Sequence, residues 1–322
     1  MSWYPVPVPS QAGRSVLVTG ANSGLGFFTS ARLAGAGAHV ILSGRSPERL
    51  AAAVAAIRDR MPRAAVETLV IDTSSLDSVH EGVERLLDRA PLDAVVLNAG
   101  MVHTPGTRLE SVDGHELVLA TNVLGHFALL ARLVPDLAAG ARVVTLGSLA
   151  TRLSSFRVDD LELRRAYDPW RAYAQSKIAA ASIAFELDRR LRRAAEDAAD
   201  AVGAASVTPR VHSVVAHPGY SISGRTPAVR GVNAPGRLDR FADALQSAWA
   251  QGKHRGAETI VHAVAADDVE GGQFWGPRYA AKGEPRLATP TRTSRDPRIG
   301  ARVWAFAEQA VGVRFDAEAV GS

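Results

Sequence analysis

The chain contains no cysteine in its 322 residues, which excludes disulfides, thiolate nucleophiles and zinc sites built on thiolates, and leaves the redox compartment open. Nine histidines are present, but no two flank a glutamate at helical spacing, so metal-dependent hydrolysis has no ligand set to start from. A marked charge excess is missing too. Lys and Arg number 37 against 33 Asp and Glu, a net +4, concentrated only in 286–302, which is poor support for a nucleic-acid partner. The start, MSWYPVPVPSQAGRS, has neither a basic region followed by an apolar run nor a stretch long enough to span a bilayer. It reads as an extended, proline-stiffened arm, and a cytoplasmic protein with no membrane partner is the expectation.

What is present is 47% hydrophobic and 22% charged, the make-up of a soluble globular protein with a substantial core. Apolar runs at 15–19 (SVLVT), 39–43 (HVILS), 66–72 (VETLVID), 93–98 (DAVVLN) and 142–148 (RVVTLGS) alternate with helical patterns, one of them running from about 114 to 139. A helix follows Lys177 to about Arg193, VHSVVAHPG from Val211 adds a strand, GGQFWGPRY offers a last one, and Asp296 with Pro297 opens a terminal helix. Strands apolar on both faces need cover on both sides. The pattern therefore predicts an α/β fold: a doubly wound Rossmann-type parallel sheet of about seven strands flanked by helices, as a single domain over 1–322. Two segments interrupt the alternation, 152–170 and 220 to about 252, the latter rich in Gly, Pro, Ser and Arg before a short helical pattern. Both follow strand ends on the carboxyl side of the sheet, where open α/β proteins bind ligands, and read as walls and lid of a substrate site.

The turn TGANSGLG places Gly20, Gly24 and Gly26 between the first strand and the first helix. Glycines there let the backbone approach a pyrophosphate, whose charge sits against the positive helix end. Three glycines in eight residues also make an ordinary tight loop, so the downstream residues decide. The second strand ends LSGRSPE, with Gly44, Arg45 and Ser46 and no acid before Glu48. Enzymes that take NAD place a carboxylate near this point, whereas Arg45 supplies a planar fork for the 2′-phosphate of NADP(H). A plain surface arginine at a helix start is the bland alternative, though a cation there is slightly disfavoured unless an anion sits beside it.

YAQSK sets Tyr173 and Lys177 four apart on one helical face. An ammonium beside a tyrosine favours the phenolate and brings its pKa down from about 10 toward catalytic use. Ser148 ends a strand at the carboxyl edge, where its hydroxyl can hold a substrate oxygen. Each feature alone is common structural chemistry; their joint occurrence in this order is what points to catalysis. The setting TLGSLAT lacks the glycines of a nucleophile elbow, which discounts a serine hydrolase.

TGANSGLG, LNAG (97–100), Asn122 in TNVLGHF, Ser148, YAQSK and HPG (217–219) occur in the order found in the short-chain dehydrogenase/reductase superfamily. The chain resembles its single-domain branch, and SQAGRSVLVTGANSGLG with FWGPRY…RDPRIGARVWAFAEQ is similar to the group holding retinol dehydrogenases and protochlorophyllide reductases. The resemblance implies an NADP(H)-dependent oxidoreductase that interconverts a carbonyl and an alcohol on a small, fairly apolar molecule. Asn122, Ser148, Tyr173 and Lys177 would be catalytic: Tyr173 as general acid/base, Ser148 orienting the substrate oxygen, Lys177 holding the nicotinamide ribose, Asn122 anchoring a relay water to Lys177. The cofactor would meet Gly20, Asn22, Ser23, Gly24, Leu25, Gly26, Arg45, Asp72, Thr73, Asn98, Ala99, Gly100, Tyr173, Lys177, Pro218, Gly219 and Ser221. On this reading 15–150 is mainly the cofactor half, 151–285 the catalytic and substrate half, and 286–322 a tail and helix.

Departures are visible. Gly147 stands where the family often has a polar residue, Thr73 where leucine is common, and YSIS follows HPG in place of the usual threonine, leaving Ser221 or Ser223 to make that cofactor contact. An epimerase or dehydratase on a nucleotide-sugar would show a different glycine spacing. The alternative from another class is an NADP-sensing binding protein without turnover, which has no need of the proton-transfer residues. The resemblance implies a homodimer or homotetramer, unless the terminal arm and the helix ending near Val313 cover the surfaces that would pair.

Overall fold

Six of the apolar runs form strands: β1 (Ser15–Thr19), β2 (His39–Gly44), β3 (Val66–Val70), β4 (Ala94–Leu97), β5 (Ala141–Leu146) and β6 (Val211–Ala216). In the computed structural model, which describes residues 7–202, 211–234, 236, 246 and 249–316, they are joined by β9 (Phe274–Pro277) and β10 (Pro285–Leu287). The eight strands lie in the order β10-β9-β6-β5-β4-β1-β2-β3, parallel throughout except for β10, which runs antiparallel to β9. About seven strands were expected. The eighth is a three-residue edge strand opened by proline, too short and too polar to register as an apolar run. β7 (Ser221–Ile222) and β8 (Gln251–Gly252) form a separate two-stranded parallel pair.

Successive residues of the central strands bury into opposite layers, as the pleat requires. Leu17, Ile41, Val95 and Val143 join one core cluster under α3 (Leu76–Leu87), α5 (Gly125–Leu133) and α6 (Pro169–Val202). Val16, Val18, Val40, Val96 and Val144 join another under α1 (Gly24–Gly35), α2 (Pro47–Arg60) and α7 (Lys253–Ala265).

The helix expected from about 114 is interrupted. Glu116 caps α4 (Leu117–Leu119) by accepting from the N–H groups of Val118 and Leu119, a π turn (Ala120–Leu124) follows, and α5 continues. By length and composition Leu117–Asp136 could cross a membrane, but 83% of it is buried inside the protein, as befits a core helix. α6 runs on to Val202 instead of ending near Arg193, because its Ala-, Arg- and Glu-rich continuation consists of good helix formers, preceded by the pairs Glu186–Arg190 and Asp188–Arg192. Strand β3 stops two residues short of the expected Asp72.

After the short α8 (Arg292–Arg295), Asp296 caps α9 (Pro297–Val311) by accepting from Arg298 N and Ile299 N, as its sequence signal predicted. Trp304 of α9 is fully buried, edge-on to Phe127 of α5 at 4.9 Å and to Phe315 at 5.3 Å, with the Arg190 guanidinium of α6 4.5 Å from its centre. The two irregular segments lie at the carboxyl edge of the sheet. The first is pinned by Gln175 of α6, which donates to the carbonyls of Asp160 and Leu161; part of the second lies outside the described residues.

Candidate active site

Strand order reverses between β1 and β4, so the loops leaving their carboxyl ends open a crevice there. Gly20 and Gly24 have φ of 63° and 58°, the left-handed region that favours glycine. A Cβ on Gly26 would lie 2.4 Å from Asn98 Nδ2 and 2.6 Å from Gly20 O, so only glycine lets the helix start pack this closely. Asn98 Nδ2 donates to the carbonyls of Thr19 and Gly20 at 2.7 and 3.1 Å, and the N–H groups of Asn98 and Ala99 donate to Thr19 Oγ1 at 2.9 Å each. The LNAG block therefore braces the glycine turn. Asn22, Ser23 and Leu25 lie in that turn and the first turn of α1, which carries no acidic residue.

Arg45 is exposed at the end of β2, and Ser46 caps α2 through Arg49 N while donating to Glu48 at 2.8 Å. That hydroxyl holds the Glu48 carboxyl below the usual carboxylate range. With its amide oxygen turned toward α2, Asn22 accepts from Nε and Nη2 of Arg49, both at 3.2 Å. Arg49 thus reaches the glycine turn, which the sequence reading did not foresee. Asp72 spends one carboxylate oxygen on Ser74 N and Oγ. Thr73 is buried beneath Gly125, whose missing Cβ would meet Thr73 O at 2.0 Å.

At β5, Ser148 Oγ accepts from Tyr173 O–H at 3.1 Å and from Ala150 N at 3.2 Å. At Gly147, where the family often has a polar residue, a Cβ would stand 3.0 Å from the Val215 side chain and 3.4 Å from His217. Lys177 Nζ is buried and donates to Leu146 O at 3.1 Å, and burial pushes its pKa down to about 8. Enclosure raises the Tyr173 phenol above its ordinary value, and the Ser148 hydroxyl only partly offsets that. This differs from the sequence reading, in which the ammonium lowers Tyr173: desolvation outweighs every other influence on it.

Asn122 sits in the π turn, a feature frequent at functional sites. Its amide accepts from Met101 N at 2.7 Å and donates to Ser176 Oγ at 2.9 Å and Met101 O at 3.2 Å. It makes no direct bond to Lys177, but both line a cavity of about 10 Å³, close to the room one water needs.

His126, not singled out from sequence, also lines that cavity. Asn122 O can only accept, so in the neutral ring Nδ1–H donates to it at 3.3 Å and Nε2 is left to accept from Thr19 Oγ1 at 3.0 Å, a hydroxyl that also reaches Val96 O at 3.3 Å. Burial, with the Lys177 charge nearby, holds this imidazole neutral, its pKa about 3. His126 therefore ties β1 to the π turn. Its i, i+4 spacing from Asn122 was the only signal available.

Beyond β6, Gly219 (φ 69°) could not carry a Cβ, which would lie 2.3 Å from Ala281 O. Ser221 Oγ donates to Pro218 O at 2.9 Å, while Ser223 stays partly exposed in the following turn. Thr226, in the turn beyond YSIS, accepts from Lys253 N at 2.9 Å and donates to Ile222 O at 2.7 Å. Lys253 lies across the glycine turn, its Nζ 3.8 Å from where a Gly24 Cβ would be. The structure thus gathers the glycine turn, Arg45, Asn98–Gly100, Asn122, Ser148, Tyr173, Lys177 and Pro218–Ser221 along one edge of the sheet, and adds Arg49, His126 and Lys253.

Comparison with known proteins agrees with this geometry. Residues 14–195 match the short chain dehydrogenase family. The chain is 35% identical over 311 residues to polyprenol dehydrogenase of Mus musculus, covering 94% of this chain and 84% of that one. It is 31% identical over 316 residues to retinol dehydrogenase 14 of the same organism, covering 94% and 86%. An uncharacterised protein from Mycobacterium Paratuberculosis superposes with a TM-score of 0.73 at 32% identity over 96% and 97% of the two chains. Sheet order, braced glycine turn and sequence agreement over most of the chain converge: this protein is a short-chain dehydrogenase/reductase, an oxidoreductase of the retinol-dehydrogenase-like group.

Proposed function

We propose that the chain interconverts a carbonyl and an alcohol on a small, fairly apolar molecule, using NADP(H), with Tyr173 as the proton-transferring group. The observation that carries this reading is the 3.1 Å bond from Tyr173 O–H to Ser148 Oγ at the carboxyl end of β5, beside the braced glycine turn. A dinucleotide with a 2′-phosphate fits the residues present. The turn is bare of side chains at Gly20, Gly24 and Gly26, Arg45 follows β2, Arg49 in the first turn of α2 reaches Asn22, and Lys253 crosses Gly24. Bound there, the cofactor supplies or accepts the hydride.

The chain's own residues handle the proton. With its pKa raised, Tyr173 is a neutral phenol at physiological pH, ready to donate to a carbonyl oxygen that Ser148 holds in place. Lys177, with a pKa near 8, exchanges its proton without difficulty, and the water-sized cavity shared with Asn122 offers a route to it. Two relatives are named for retinol and polyprenol, both apolar alcohols, and the exposed Val102, Leu153 and Trp170 near the site suit such a molecule.

The test is fluorescence titration with NADPH and NADH, followed by a panel of ketones, aldehydes and apolar alcohols monitored by nicotinamide absorbance. Tyr173→Phe is expected to abolish turnover with cofactor affinity retained. Arg45→Ala and Arg49→Ala should each lower the preference for NADPH by about ten-fold, the worth of a charge-assisted bond. Equal affinity for both cofactors in the parent would sink the two arginine assignments, and undiminished turnover in Tyr173→Phe would sink the mechanism.

A further inference from the structure

His126 is buried between the end of β1 and the π turn. In that turn Gly125 N donates to Ala120 O, five residues back, so the ladder is one residue out of step with the helices on either side. Carbonyls around such a step lose their regular partners and turn to side chains or water. Two side chains answer here. Thr121 Oγ1 donates to Leu117 O at 2.7 Å, and His126 Nδ1 donates to Asn122 O at 3.3 Å. Reversion to a regular helix would rotate one side of the turn against the other by about 100°, the angle of one residue, and take the Asn122 side chain off its partners.

Those partners reach the catalytic tyrosine. Met101 N donates to Asn122 Oδ1 at 2.7 Å, Asn122 Nδ2 donates to Ser176 Oγ at 2.9 Å, and Ser176 Oγ donates to Tyr173 O at 2.8 Å. The amide thus bridges the loop after β4 to the helical turn that bears Tyr173. Its backbone end is held by His126, whose Nε2 accepts from Thr19 Oγ1 at 3.0 Å; Thr19 in turn receives Asn98 N and Ala99 N, the brace of the glycine turn. Both ring nitrogens are occupied, so the imidazole has no site left from which to accept a proton, and its effect on the chemistry passes through Asn122. The ring also forms part of the wall of the cavity of about 10 Å³ shared by Asn122, Thr145 and Lys177. Among the described residues Lys177 is the one charged side chain lining it.

We propose that His126 is a positioning residue for proton delivery: it holds the π turn so that Asn122 keeps the water-sized cavity in register with Lys177. The inference rests on the proton-transfer reading above. Phenylalanine fills much the same space but makes neither bond, glutamine keeps an acceptor at the place of Nε2 alone, and asparagine keeps a donor at the place of Nδ1 alone. His126→Phe and His126→Gln should each lower kcat about ten-fold, the upper worth of one neutral hydrogen bond, with KM for the ketone and affinity for NADPH little changed. The solvent deuterium isotope effect on kcat should rise, because proton delivery then limits the rate. His126→Asn should recover most of the lost kcat and return the isotope effect to that of the parent. If phenylalanine prevents folding, the glutamine variant carries the same comparison.

Hydrogen exchange at the Met101 amide follows Asn122 without any turnover, since that N–H donates to Asn122 Oδ1. It should quicken about ten-fold in His126→Gln and return in His126→Asn, while the amides of β5 keep their protection. A fall in kcat with an unchanged isotope effect would mean only a smaller active fraction and would overturn the proposal. So would Met101 exchange indifferent to the variants, or an equal loss of kcat in His126→Asn and His126→Gln. The two readings fail separately. Undiminished turnover in Tyr173→Phe removes proton transfer by the tyrosine and leaves the Met101 result standing, whereas unmoved Met101 exchange with Tyr173→Phe inactive removes only the role of His126.

Discussion

At Lys177 the demands of chemistry and of folding oppose each other. Its ammonium is buried against a single carbonyl, and the charged form is disfavoured enough to bring the pKa to about 8 from 10.5. Between those two values the unfolded chain still holds the proton that the folded one has released, so stability rises with pH across that window. Below it both states are charged and the full penalty applies. Lys177→Met should therefore lose activity yet gain about 1–3 kcal/mol at neutral pH, and the rise in stability between pH 8 and 10 should flatten. Urea denaturation at several pH values reads both effects; a variant less stable than the parent at pH 7 would contradict this account.

At the level of elements, the meeting of α5 with the loop after β3 sets the position of the π turn and hence of Asn122. Gly125 allows it: an added Cβ would meet Thr73 O at 2.0 Å and Thr73 C at 2.8 Å, backbone that cannot swing aside. Gly125→Ala is expected to cost about 1–3 kcal/mol by overpacking and to lower turnover by shifting Asn122. Gly312 meets nothing within 4 Å but has a φ of 68°, so Gly312→Ala should cost only about 1 kcal/mol and leave kinetics alone. Chemical denaturation and steady-state rates on the two variants separate the cases.

The strands were legible because two-sided burial writes itself as continuous apolar runs, and α9 because Asp296 and Pro297 announce it. The π turn was not, since ATNVL has an ordinary helical composition. Tyr173, Lys177 and Ser148 could be placed from spacing and strand ends. Arg49, His126 and Lys253 could not, because each reaches the site across a contact between distant segments: His126 to Thr19 of β1, Lys253 to Gly24 of α1, and Arg49 to Asn22 by way of the β2–α2 turn.

Over the whole molecule, the two core layers are joined by one sheet, and the tail belongs to the larger layer. Trp304, buried between Phe127, Phe315 and Arg190, makes α9 part of the core that holds α5 and α6. Trp304→Ala should cost about 3–5 kcal/mol, seen as a lower denaturation midpoint with an unchanged m-value if unfolding stays two-state. The faces of α5 and α6 beneath α9 are thus closed by the same polypeptide. Closure within one chain is a first-order event, whereas cover supplied by a second molecule would follow mass action. The melting temperature and specific activity should accordingly be independent of dilution, and a melting temperature that falls as the protein is diluted would show that part of this fold is completed in trans.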